Sequence, residues 1–447
     1  MSALTLWRPL LGLEDTAIED VRVEPGHGGR VVVSVRPMAR AKNRCGRCRR
    51  RSRRYDQGRG RRLWRTLDHG TKPAFLEADA PRVKCPVHGV VVAHVPWAQH
   101  GSGHTHEFDQ QVAWLTVRTS KSAVTELMRV AWRTVGAIVA RVWADLDTGD
   151  RLEGLRRIGI DEISYKRGYK FLTVVVDHDT GRLVWAGEGR TKAVLQSFFD
   201  ALGPDRAAHL THVSADGADY IAEVVAQRCP DAVVCADPFH VVQWANDALT
   251  KVRLESWRAA RKLARRDPPA RSGPARKDQW LPGRDTANAL KGARIALWKN
   301  PENLTEKQHA KLAWVAIADP RLHTAYLFKE RLRLVFKMRP EDAADYLDEW
   351  IDQATHSDIA PMAELAERIT RHRTRILAAI EHDMSNGPVE SVNTKIRLIT
   401  RIAFGFRSPE ALIALAMLNL GGHRPVLPGR KDPRKCQESH SSAYGLA

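Results

Sequence analysis

Arg156-Arg157-Ile158-Gly159-Ile160-Asp161 opens the part of the chain whose reading decides its architecture, residues 156–185. Apolar runs recur there as Ile158-Gly159-Ile160, residues 171–176 and Leu183-Val184-Trp185, with glycine-containing turns between them. That spacing predicts a three-strand meander. Beyond it, residues 191–202 read as a helix, 212–214 as a strand, 218–227 as a helix and 232–236 as a buried strand. Such alternation implies mixed α/β organisation. Asp161 closes the first apolar run and Asp216 follows the strand at 212–214 in the same manner, so each carboxylate is expected at a strand end.

After Val241 the pattern turns to long helices up to Ile380, interrupted at 267–285 by a loop rich in proline, glycine and arginine. A third acid stands in Asn386-Gly387-Pro388-Val389-Glu390-Ser391-Val392-Asn393, where Asn386 and Pro388 signal a helix start and Glu390 falls in the first turn. A strand Asp, a second strand Asp and a distant helical Glu form a layout that gathers carboxylates around paired Mg²⁺ (or Mn²⁺). Hard cations of this kind serve in-line phosphoryl displacement. The second acid is open at this level, because Asp216, Asp219 and Asp237 all follow strands.

Upstream, residues 21–36 alternate as a strand of a small β-rich unit, and residues 39–65 are dominated by arginine. Cys45-Gly-Arg-Cys48 and Cys85-Pro-Val-His88 offer two pairs of ligands at the knuckle spacing of a tetrahedral Zn²⁺. A closed site of four protein ligands is structural, and it would shape Arg47, Arg49 and Arg50 to meet phosphates. Residues 120–141 read as a helix-turn-helix with an inner face of Ala123, Leu127, Val130, Val135, Ile138 and Val142. Arg133 and Thr134 would then start the helix that faces a major groove. Arg129 holds the place where a turn glycine is common, and a plain helical hairpin has the same apolar spacing.

The 447 residues exceed one ordinary domain. A formal charge of +19 calls for a polyanionic partner, nucleic acid first. Six cysteines are too few for a disulfide scaffold. No apolar run approaches the ~20 residues of a membrane span, and residues 1–20 lack a signal pattern, so no membrane association and a cytoplasmic location are expected.

The stretches Ile158-Gly159-Ile160-Asp161-Glu162, Ala236-Asp237-Pro238-Phe239-His240-Val241-Val242 and Ser385 to Arg397, continuing through Arg401-Ile402-Ala403-Phe404-Gly405-Phe406-Arg407, resemble the DDE transposases of bacterial insertion sequences, specifically the ISL-three (ISL3) family. The likeness covers nearly the whole chain; one departure is His88, where a cysteine is also common. It implies a multi-domain α+β protein: a zinc-binding β module for DNA recognition at 1–98, a helix-turn-helix at 99–150, and a ribonuclease-H-like α/β core beginning at 151–250. An all-helical insertion at 251–380, a Glu-bearing core segment at 381–422 and a loose tail at 423–447 would complete it. The implied triad is Asp161, the second Asp and Glu390. A ribonuclease-H-like core carries the second acid after its fourth strand, which by count is Asp216, with Asp237 the alternative; otherwise Asp237 and His240 would support the site. Lys395, Arg397, Arg401 and Arg407 would grip phosphate, while Trp298 and Trp314 would either stack on a flipped base or pack in the core. The implied activity is binding of terminal inverted repeats, cleavage at the element ends and joining of the 3′-OH to target DNA. Two ends must be cut together, so a homodimer or larger assembly is expected on double-stranded DNA. Two other readings compete: a DNA-binding regulator with an inactive core, and a ribonuclease-H-like nuclease.

Overall fold

The computed structural model describes residues 7, 9–25, 28–147, 150–266, 284–385, 387–403, 405–406 and 408–430. Asn386, Phe404, Arg407, the stretch 267–283 and the tail from 431 lie outside the described residues. The chain divides into two compact units, Met1–Arg151 with Ile396–Ala447, and Leu152–Lys395.

The first unit begins with β1 (Thr16–Glu24) and β2 (Arg30–Pro37), where the sequence suggested a single strand over 21–36. Pro25 and the left-handed Gly28 and Gly29 interrupt that strand, and the chain folds back so that Glu24 pairs with Arg30. With β4 (Arg61–His69) and β5 (Lys72–Asp79) they form a sheet of order β1-β2-β5-β4, in which only β2 and β5 run parallel. The valines of β2 alternate into a core with Leu76, Trp64 and Trp97, the two indoles meeting edge-on at 5.5 Å. β3 (Arg53–Asp56), β6 (Arg82–Cys85) and β7 (Gly89–Val92) make a separate antiparallel sheet.

Three helices follow: α1 (His106–Arg118), α2 (Lys121–Met128) and α3 (Trp132–Leu146). Ser120 caps α2 by accepting from the Ala123 N–H. Arg129 ends it in the left-handed conformation, φ 53°, and makes the turn that a glycine more often makes. It is held there by Asp68 at 3.0 Å and by the Thr71 carbonyl. Val135, Ile138 and Val142 are buried as expected, but the inner face of α2 is Lys121, Val124 and Met128. Ala123 and Leu127 face solvent. A helical repeat carried straight across the turn points to the wrong face, because the left-handed residue resets the helical phase. A bidentate Arg141–Asp109 pair, 2.7 and 3.0 Å, ties α3 to α1, and the helix Pro409–Leu420 packs beside both.

In the second unit β8 (Arg157–Lys166), β9 (Lys170–Asp177), β10 (Leu183–Glu188), β11 (His212–Ala215) and β12 (Val233–Ala236) form one sheet of order β10-β9-β8-β11-β12. The first three strands are the antiparallel meander; β11 and β12 add in parallel. Strand alternation divides the residues between faces. Ile158, Ile160, Val213 and Ala215 join α4 (Lys192–Leu202) and α5 (Asp219–Arg228) in one core. Gly159, Asp161 and Ser214 therefore belong to the opposite face.

β12 leads into α6 (Pro238–Arg266) and a helical region of α7 (Arg284–Gly292), α8 (Arg294–Trp298), α9 (Glu306–Ala318), α10 (Pro320–Val335), α11 (Pro340–Thr355) and α12 (Ala360–Glu381). Its core centres on Leu332, Leu347, Trp350 and Ile369, with the Trp350 indole N–H donating to the Phe328 carbonyl. Trp314 packs against this core; Trp298 is partly exposed, donates to Thr250 and carries the Arg294 guanidinium 4.3 Å from its ring. α12 also lies against β12. α13 (Gly387–Ile402) carries Glu390. Among the described residues no helix is long and apolar enough to cross a membrane.

Candidate active site and zinc centre

The zinc ligands are assembled by two knuckles. Cys45 and Cys48 lie in a turn closed by hydrogen bonds between Cys45 and the Arg49–Arg50 backbone, while Cys85 and His88 end β6 and start the turn to β7. All four ligand atoms lie within 4.8 Å of one another, the one such cluster among the described residues. Cys45 Sγ is 3.6 Å from His88 Nδ1, Cys85 Sγ 3.7 Å from the same nitrogen, and Cys48 Sγ 3.7 Å from Cys85 Sγ. A tetrahedron with Zn–S of about 2.3 Å and Zn–N of about 2.0 Å has edges of about 3.6–3.8 Å, so the residues fit a structural zinc. Desolvation opposes the Cys85 thiolate, but the backbone N–H groups of His88 and Val87 outweigh it and bring its pKa down to about 6. Gly46 is needed for the fold of this knuckle, because a Cβ there would meet His100 Nδ1 at 2.3 Å and the Val92 carbonyl at 2.5 Å. Arg47, Arg49 and Arg50 are exposed on the first knuckle and its exit. On α3, Arg133 is exposed and Thr134 partly so.

The three strand-borne acids come together by register. Ile160 pairs with Ala215 and Ala215 with Ala236, so Asp161, Asp216 and Asp237 each stand one residue past the same rung on three neighbouring parallel strands. Adjacent strands are about 4.8 Å apart. Asp161 is not at a strand end as the sequence suggested: β8 continues to Lys166 because its pairing with β9 continues after the ladder to β11 has stopped. Its exposed edge begins where β11 ends, and that opens the carboxylate to the site.

Asp161 is largely buried. Desolvation, with Asp216 and Asp237 adding like charge and His240 and the Glu162 N–H opposing, raises its pKa from an ordinary 3.8 to about 6. Its Oδ1 accepts from the Glu162 N–H at 2.7 Å and its Oδ2 from Asn393 Nδ2 at 2.5 Å. Asp216 is half-buried and accepts the Ala218 N–H at 3.1 Å. Its turn is roofed by α6 and α12, since a Cβ on Gly217 would strike the Trp244 ring at 2.4 Å, and the Arg368 guanidinium sits 3.8 Å from that ring. Asp219 is exposed in the first turn of α5. Asp237 is 1% exposed, accepts from Phe239 N–H at 2.9 Å, and pairs with His240 Nδ1 at 2.5 Å, a bond that raises the histidine's pKa.

Helix α13 reaches the sheet through close contacts: a Cβ on Gly159 would meet Val389 Cγ2 at 2.4 Å, and Asn393 bonds Asp161. Glu390 is exposed in the first turn, next to Val389. Lys395, Arg397 and Arg401 are exposed further along the helix. Three contributors were missed in the sequence: Asn393, three residues after Glu390 and thus on a neighbouring face; Tyr220, whose hydroxyl donates to Glu162; and Arg368 over Trp244. Only Asn393 left a signal, its i+3 spacing from Glu390.

A zinc knuckle, a three-helix segment with a tight turn, and carboxylates at one level of a mixed sheet together define a metal-bearing protein that acts on DNA. A family model described as a transposase matches residues 158–416, that of the helix-turn-helix domain of transposase family ISL3 matches 93–143, and a zinc-finger model of the transposases of IS204, IS1001, IS1096 and IS1165 matches 41–88. The chain is 60% identical over 436 residues to the transposase for insertion sequence element IS1557 of Mycobacterium tuberculosis, covering 96% of this chain and 98% of that one. It is 27% identical over 409 residues to the transposase for IS1001 of Bordetella parapertussis, covering 91% and 95%. The chain belongs to the ISL3 family of insertion-sequence transposases. A DNA-binding helix-turn-helix, a zinc ribbon and an enzyme domain that acts on DNA follow from that membership.

Proposed function

We propose that the protein binds the terminal inverted repeats of its insertion sequence, cleaves the phosphodiester at each end and joins the freed 3′-OH to target DNA. The supporting observation is the register that sets Asp161 beside Asp216 on adjacent parallel strands while Asn393 ties the Glu390 helix to Asp161. The sheet order 3-2-1-4-5, counted from β8, with helices on both faces, supports reading this unit as a ribonuclease-H-like core. The helices from 251 to 380 are then an insertion between the last strand and the Glu-bearing helix.

Asp161, Asp216 and Glu390 would hold the Mg²⁺ (or Mn²⁺). The donor types suit such an ion: hard carboxylate oxygens, with Asp161 desolvated and close enough to Asp216 and Asp237 to feel their charge. When bound, two such cations activate the attacking oxygen and stabilise the leaving one. The chain's own part is placement. β8 and β11 fix two carboxylates in register, Asn393 ties the Glu390-bearing helix to Asp161, and Asp237 holds His240 as support. Lys395, Arg397, Arg401 and Arg407 are assigned to phosphates near the scissile bond, and Arg47, Arg49, Arg50, Arg133 and Thr134 to recognition of the ends. Cutting two ends together requires at least a dimer on DNA.

The test is incubation with DNA carrying the element ends and Mg²⁺, comparing wild type with Glu390→Gln and Asp216→Asn. Loss of nicking in both variants, with end binding retained, is expected. Equal cleavage by wild type and Glu390→Gln would sink the triad.

A further inference from the structure

Asn393 is 3% exposed and donates Nδ2 to Asp161 Oδ2 at 2.5 Å. The orientation of its amide follows from chemistry, because an ionised carboxylate only accepts and the nitrogen must face it. Its Oδ1 is then left as the free end of the amide; it is buried and has no hydrogen-bond partner among the described residues. Buried amide oxygens without donors are costly and rare. This one belongs to an amide hydrogen-bonded to a desolvated carboxylate, Asp161, on which the charges of Asp216 and Asp237 also act. What such oxygens lack is positive charge, and a neutral amide oxygen next to carboxylates is a usual ligand of hard divalent cations.

We propose that Asn393 is a metal ligand as well as a positioning residue: Oδ1 binds the divalent cation that Asp161 holds, and Nδ2 keeps the Asp161 carboxylate turned toward it. The assignment rests on the reading of the acids as a metal site and adds a neutral ligand from the helix that carries Glu390.

The experiment is titration of the full-length, zinc-loaded protein with Mn²⁺ and separately with Cd²⁺, followed by calorimetry and Mn²⁺ electron paramagnetic resonance. It compares wild type, Asn393→Ala, Asn393→Cys and Asp161→Asn, each first checked for cooperative unfolding of the unit Leu152–Lys395 that carries both positions. Asn393→Ala should weaken Mn²⁺ binding by about 10–100-fold. Asn393→Cys, which puts a soft thiolate where a hard oxygen was, should stay weak for Mn²⁺ yet bind Cd²⁺ at least about tenfold more tightly than Asn393→Ala, with thiolate-to-metal absorption in the ultraviolet. A residue that only clamps Asp161 would weaken both metals equally in the two variants, and that result overturns the proposal, as does wild-type Mn²⁺ affinity in Asn393→Ala. Failure of the underlying reading is distinguishable: the wild type would then show no Mn²⁺ site, or Asp161→Asn would leave it intact.

Discussion

Asp161→Asn should stabilise the metal-free protein while abolishing cleavage. The carboxylate is raised from an ordinary 3.8 to about 6, chiefly by burial. For a group whose folded pKa is raised, the protonated folded form is favoured, so the stabilisation is fully present below the unfolded value and lost as pH rises through about 6. At about pH 7.5 the ionised side chain costs the fold at most about 3 kcal/mol, from 1.36 kcal/mol per tenfold change in proton affinity. Asparagine removes that charge at nearly the same volume. The Glu162 N–H keeps its acceptor, and the Asn393 amide can turn so that its unpartnered Oδ1 receives the new N–H. Some charge-assisted hydrogen bonding is given up, so a net gain of about 1–3 kcal/mol is expected. Urea unfolding with a chelator present should show this gain at about pH 7.5 and little of it at about pH 4. Added Mg²⁺ should narrow the gap by stabilising only the wild type. A variant no more stable than wild type at about pH 7.5, or equally stabilised at both pH values, would refute the claim that Asp161 is a desolvated charge awaiting a cation.

Removing zinc with a chelator, or replacing Cys48 with Ser, should abolish end binding and unfold the β3-β6-β7 sheet, with zinc release and circular dichroism as readouts; retention of DNA affinity would count against a structural zinc. Replacing Arg47, Arg49 and Arg50 together by Ala should lower the slope of log affinity against log salt by about 0.9 for each phosphate no longer neutralised, measured by anisotropy on an end duplex; an unchanged slope would remove these arginines from the DNA interface. Gly159→Ala places a methyl 2.4 Å from Val389 Cγ2 and 2.8 Å from His178 Nε2, and should cost about 1–3 kcal/mol and reduce cleavage by displacing α13; an unaffected melting temperature would mean that the neighbouring side chains yield freely.

The sheet was legible because its strands are short, apolar and bounded by glycine turns, and each predicted strand or helix between 156 and 236 was found, although β8 runs on to Lys166. The position of Asp161 within β8 was not, since Glu162-Ile163-Ser164 alternates just as a solvent-edged strand does and only its pairing with β9 reveals the continuation. The zinc ligands were legible from spacing alone, whereas the fact that His88 turns Nδ1 toward the cysteine sulfurs needed coordinates. In α2 the apolar residues Ala123 and Leu127 misled because a buried lysine, Lys121, takes the inner position. Its stem is covered, and its ammonium lies over the Trp132 ring at 4.7 Å. Asn393 was hidden for a more general reason: a neutral residue announces no charge, and its partner is 232 positions away.

The choice among Asp216, Asp219 and Asp237 can be argued from what each carboxylate already has. Asp219 is exposed on α5, off the rung that Asp161 shares. Asp237 is on that rung, but it is 1% exposed and both of its oxygens are engaged, one by the Phe239 N–H and one by His240. A cation bound there would have to displace an imidazole that the carboxylate itself has made more basic. Asp216 stands between the other two in the sheet, half-exposed, one oxygen accepting the Ala218 N–H. It is the acid on β11, the strand hydrogen-bonded directly to β8, whereas β12 is one strand further from Asp161. These differences support the proposal that Asp216, rather than Asp219 or Asp237, would hold a metal with Asp161. Asp237, for its part, is hydrogen-bonded to His240, and that bond raises the imidazole's pKa.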